Sequence, residues 1–114
     1  MTNKNSNISK LISSILFLAL FLPTFTNAAT IQGSIYDMFL EDLDKALITI
    51  NTVPEQTIVS KQGKYILEAP IGEYTLIATY ETQNFLYTTE EIIKIEQEGT
   101  YNIDLILTIE NQEE

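Results

Sequence analysis

Residues 64–81 read KYILEAPIGEYTLIATYE. The first six, Lys64 to Ala69, form a strand-like run. Pro70-Ile71-Gly72 reverses it, with Pro70 fixing φ and Gly72 free to turn. The second run, residues 73–81, puts Tyr74, Leu76, Ala78 and Tyr80 on one face, a period of two. The same grammar extends upstream. Lys61-Gln62-Gly63-Lys64 reads as a tight turn with Gly63 available for positive φ, and QTIVS at 56–60 reads as a short strand after Pro54. KALITIN at 45–51 alternates Ala46, Ile48 and Ile50, and TIQGSIYD at 30–37 alternates Ile31, Gly33 and Ile35. Downstream, Gln83-Asn84 breaks the pattern. FLYTT (85–89), EIIKIE (91–96) and, after a turn at Glu98-Gly99, TYNIDLILTI (100–109) follow as strands. β-branched residues and Tyr dominate these runs, as a half-buried pleated surface prefers. Strands every 8–12 residues with turn signals between them predict an all-β chain: an antiparallel Greek-key β-sandwich of about seven strands.

Composition removes several kinds of chemistry. The chain has 114 residues, 16 acidic and 6 basic side chains, and a formal net charge of -10. It contains no His, no Cys, no Trp and no Arg. Disulfides, thiol nucleophiles, zinc–thiolate sites and imidazole bases are therefore excluded. The acidic balance argues against a nucleic-acid partner, because a phosphate backbone needs a basic face.

The N-terminus reads as an address. Lys4 and Lys10 precede an apolar run of 12 residues, Leu11 to Leu22, and Pro23 ends it. Thr26 and Ala28 are small, as signal-peptidase cleavage after Ala28 requires. The run falls short of the roughly 20 residues that span a bilayer. The expected organisation is a signal-peptide helix over 1–28, a β-sandwich domain over 29–109 and an acidic tail over 110–114. Secretion or placement in the cell envelope follows. A membrane contact arises only through the N-terminal segment if it stays uncleaved. Cleavage removes two lysines and no acid, so the domain becomes still more anionic and soluble.

One segment breaks the strand grammar. Asp37 to Asp44, DMFLEDLD, joins the first two strands and is part apolar, part acidic. Leu43 is expected to tuck under the sandwich. Met38, Phe39 and Leu40 are the candidate contact residues, exposed or forming one helical turn; the alternative is a loop that folds back on its own sheet edge, since isolated exposed apolar residues are normal.

The order of motifs resembles the carboxypeptidase regulatory-like domain, a transthyretin-like (prealbumin-like) sandwich. Ile31-Gln32-Gly33-Ser34-Ile35-Tyr36-Asp37 matches its first strand, and Leu43, Ala46, Ile48 and Ile50 match its second segment. Gly63, Tyr65 and Leu67 match the next, and the hallmark P-x-G-x-Y-x-L-x-A is present as Pro70, Gly72, Tyr74, Leu76 and Ala78. Ile103, Leu105 and Leu107 match the last strand. The likeness covers residues 31–107, and the loop after Asp37 departs from it. The resemblance implies that Gly33, Ala46, Gly63, Tyr65, Pro70, Gly72, Tyr74 and Leu76 are structural, that no residue is catalytic, and that the module is a non-enzymatic one. The stretch 67–74 is also similar to the E-x-x-P-x-G-x-Y pattern of collagen-adhesin B-type stalk domains, which close a Lys–Asn amide. Asn102 lies in the last strand, but residues 30–37 contain no Lys. A transthyretin-like purine hydrolase is excluded by the absence of His.

Asp37, Glu41, Asp42 and Asp44 are weak candidate metal ligands, with calcium the cation that carboxylates suit. Their spacing is not an EF-hand, and no cofactor is otherwise indicated. Sixteen acids make some carboxylate pair at a separation suited to glycoside hydrolysis inevitable, but a sandwich of this size offers little room for a deep cleft. The expected function is a non-catalytic exported binding or structural module, contacting a protein through loops or a sheet edge, with Phe85 to Thr89 the candidate edge. The alternatives are an accessory domain for a separate enzyme or receptor, or a calcium-dependent adhesion module.

Overall fold

The computed structural model describes residues 27–110. Residues 1–26 of the expected signal peptide and the acidic tail beyond Glu110 lie outside these residues; Ala28, its expected last residue, is in a strand and pairs with Pro70. No helix occurs among the described residues. Nine strands do: β1 (Ala28–Tyr36), β2 (Leu47–Ile50), β3 (Gln56–Val59), β4 (Lys64–Pro70), β5 (Gly72–Glu81), β6 (Leu86–Ile95), β7 (Thr100–Asn102), β8 (Leu105–Ile106) and β9 (Thr108–Ile109).

The strands form two sheets. In the smaller sheet β1 is central, with β4 antiparallel on one side and β7 then β8 on the other. The larger sheet has the order β3-β2-β5-β6-β9, all antiparallel. One apolar cluster draws on both: Ala29, Ile31, Ile35, Tyr65, Leu67, Ala69 and Leu105 from the smaller sheet, Ile48, Ile50, Leu76, Ala78, Ile93 and Ile95 from the larger. The period-two alternation produces this arrangement directly, since each strand turns one face inward. Each fully buried Ile or Leu contributes about 1.5–3 kcal/mol relative to exposure.

The all-β class is as expected, and two details differ. FLYTT and EIIKIE are one strand, β6, rather than two. TYNIDLILTI is three short strands, of which β7 and β8 pair parallel to β1, so the fold is not wholly antiparallel. The break between β7 and β8 has a visible cause. At Ile103 the backbone turns its carbonyl over Gly33, where a Cβ would overlap it. The buried Tyr65 hydroxyl donates to that carbonyl at 2.6 Å. The Ser34 N–H, deprived of it, donates instead to Asp104 Oδ1 at 2.9 Å. Pairing then resumes at Ile35–Leu105. Gly33 thus permits a close backbone approach that any side chain would block.

Two turns also follow from residue type. Gln62 and Gly63 have φ of 53° and 71°, the pair of positive values that a two-residue hairpin loop requires. Lys61 and Lys64 exchange backbone hydrogen bonds of 2.9 and 3.0 Å across it. At the β4–β5 reversal the Tyr74 hydroxyl donates back to the Pro70 carbonyl at 2.8 Å, which locks the corner.

Candidate interaction surface

The loop between β1 and β2 is built around Asp37. Its Oδ1 accepts hydrogen bonds from the N–H groups of Phe39 (2.8 Å) and Glu41 (3.0 Å). Its own N–H donates to the Glu41 carbonyl at 2.9 Å, and its carbonyl accepts from Leu40 N–H at 3.1 Å. This closed turn replaces the helical turn that the sequence allowed. Leu40 takes φ 61°, a left-handed conformation that a branched residue adopts only when its surroundings impose it. The consequence is display. Met38, Phe39 and Leu40 are 42%, 79% and 64% exposed.

The base of the loop is anchored in the core. Leu43 is buried as expected, and its N–H donates to the Ile35 carbonyl at 2.9 Å. Ser60, also buried, holds the two arms together. Its hydroxyl donates to the Leu43 carbonyl at 2.8 Å and accepts from Ala46 N–H at 2.9 Å. Asp44 Oδ1 accepts from Gln62 N–H at 3.0 Å, tying the loop to the β3–β4 hairpin. Ser60 went unrecognised in the sequence, although it sits in phase with Ile58 and so points inward with it.

Three of the four acidic candidates have separate structural tasks. Asp37 and Asp44 accept backbone N–H bonds, and Asp42 packs against Gly63. Among the described residues no three acidic side chains converge as a metal site would need. The other motif residues lie apart from the loop tip. Ala46, Tyr65 and Leu76 are in the core, and Pro70, Gly72 and Tyr74 form the corner at the opposite end of the sheets.

The expected edge at Phe85 to Thr89 is not open. β9 covers it, pairing Ile109 with Tyr87 and Thr108 with Thr88. Tyr87 packs against Tyr80 and Phe85, with ring centroids 6.2 and 6.4 Å apart, and closes that end of the molecule.

A shallow hollow of about 630 Å³ lies beside the outer face of the smaller sheet, lined in part by Gln32, Ser34, Lys64, Ile66 and Asn102. Asn102 is exposed there and accepts from Gln32 Nε2 at 3.1 Å. No lysine lies on β1 to attack it, so the pairing of an amide-forming stalk is not assembled.

No protein-family model and no curated protein matches this chain. Among solved structures, the fold is similar to part of the Bacillus anthracis TIE protein, with a TM-score of 0.58 and 17% identity. The match covers 73% of this chain and 17% of that one, so this chain spans a small part of that neighbour's length. At this identity the likeness is one of fold.

Proposed function

We propose that the protein is a non-catalytic module, exported to the cell envelope, that binds another protein through the Met38–Leu40 tip. One observation carries the reading: three consecutive large apolar side chains are held outward by a turn that is itself hydrogen-bonded and anchored to the core. An exposed Phe on a preorganised tip suits an anchor, because little conformational freedom remains to be lost on binding. The surrounding Asp37, Glu41, Asp42 and Asp44 define the complement, an apolar pocket with a basic rim. The motif order supports a carboxypeptidase regulatory-like, Greek-key sandwich, and the N-terminal apolar run supports export with cleavage after Ala28.

The test is a chain carrying Met38→Ser, Phe39→Ser and Leu40→Ser together, expressed in the source organism. The expected result is an unchanged melting midpoint, since exposed side chains rarely change stability by more than ~0.5 kcal/mol each. The native complex formed by the unsubstituted chain is then lost. A complex of unchanged size and abundance would contradict the reading. Intact mass reads the export half: the mature chain is expected to begin at Ala29.

A further inference from the structure

The second half of β6 is an open sheet edge among the described residues. Register shows which of its backbone groups face outward. Glu110 N–H donates to the Leu86 carbonyl, so even-numbered β6 residues face the β9 side. On the other flank, Asn51 N–H donates to the Thr75 carbonyl, so odd-numbered β5 residues face β2 and even-numbered ones face β6. Because Tyr74 is opposite Ile93 and Leu76 is opposite Glu91, the odd-numbered β6 residues complete the ladder with β5. Both flanks agree. β9 reaches only as far as Thr88. The N–H and C=O groups of Glu90, Ile92 and Lys94 therefore point away from the sheet with no strand beside them.

We propose that this edge pairs with the same edge of a second copy of the chain, antiparallel and centred on Ile92. In that register Ile92 lies opposite Ile92, and Glu90 lies opposite Lys94 twice over. All three pairs join outward-facing residues, so each exchanges two backbone hydrogen bonds. Opposite charges directly across an antiparallel pair are favourable, and Ile92, 69% exposed, gains an apolar neighbour. The open stretch runs from Thr89, just past the β9 pairing, to Ile95, where β6 ends, and Ile92 is its midpoint. Neighbouring registers fail. A shift one way places Lys94 opposite Thr88, whose outer side Thr108 already fills. A shift the other way places Glu90 opposite Glu96. A shift by an odd number of residues sets outward groups against inward ones. Glu91 faces the gap between the sheets and is exposed, which confines the contact to the edge and keeps the two cores apart. The product is one continuous sheet made from two five-stranded ones. This surface is independent of the Met38–Leu40 tip.

Sedimentation equilibrium of the purified chain from micromolar to ~1 mM concentrations tests the proposal. The expected result is a concentration-dependent rise to twice the chain mass. Lys94→Glu turns both Glu–Lys pairs into like-charge pairs and is expected to weaken association ~10-fold or more. Adding Glu90→Lys to it inverts the pairs and is expected to restore association. Ile92→Pro removes an N–H that the β5 ladder does not use, so the fold is kept while self-pairing is lost; its far-UV circular dichroism should match the parent. A chain that stays monomeric throughout would overturn the proposal. So would a dimer indifferent to Lys94→Glu and Ile92→Pro.

Discussion

Tyr65 has two tasks in one side chain. Its ring fills the core, and its hydroxyl satisfies the carbonyl that Ile103 turns inward over Gly33. Burial, followed by the nearby charges of Asp104 and Glu91, holds the phenol well above the usual tyrosine value of 10.0. The sign of the pH effect follows. Above pH 10 the unfolded chain gives up this proton while the folded chain keeps it, so folding stability falls as pH rises. Below pH 10 the contribution is fully present. Tyr65→Phe leaves the Ile103 carbonyl without its donor and is expected to cost about 1–2 kcal/mol at neutral pH. Urea denaturation at neutral and alkaline pH checks both parts. The variant should be less stable at neutral pH, and its stability should decline less steeply above pH 10 than the parent's.

At the scale of elements, the loop after β1 is held at its base by Ser60 together with the buried Leu43. Ser60→Ala leaves the Ala46 N–H and the Leu43 carbonyl without partners in a buried setting. The expected cost is ~2 kcal/mol in chemical denaturation, large for the loss of one oxygen atom. A cost below ~0.5 kcal/mol would show that the loop base relaxes to find other partners. The elements also show what a sequence discloses. Most strands, the Lys61–Lys64 hairpin and the Pro70–Gly72 corner were legible, because alternation and turn chemistry are local. Glu90 read as a break between two strands, since an acid there interrupts an apolar pattern. It instead sits where β6 runs with one side open to water. The parallel pairing of β1 with β7 and β8 was not legible, because it joins residues about seventy positions apart and leaves no local mark. Of the loop, the inward Leu43 was readable from polarity, whereas the exposure of the tip was one of several readings that polarity left open. The Asp37-centred turn was not, as it depends on one carboxylate oxygen meeting two N–H groups.

At the scale of the whole molecule, two surfaces among the described residues of a strongly acidic chain carry the proposed contacts. One is an apolar tip among acids, and the other is an edge on which Glu90 and Lys94 flank an isoleucine. Neither resembles a catalytic cleft, and both are made of groups suited to contact. The reading of the protein as an exported binding module therefore stands or falls on whether the tip touches something. The most direct measurement is photo-crosslinking in the source organism from a benzophenone amino acid placed at Phe39, with the same group at the exposed Glu55, between β2 and β3 and on the opposite flank of the larger sheet from β6, as the comparison. The account predicts one discrete crosslinked envelope protein from position 39 and none from position 55. No crosslink from position 39, or the same products from both positions, would contradict it.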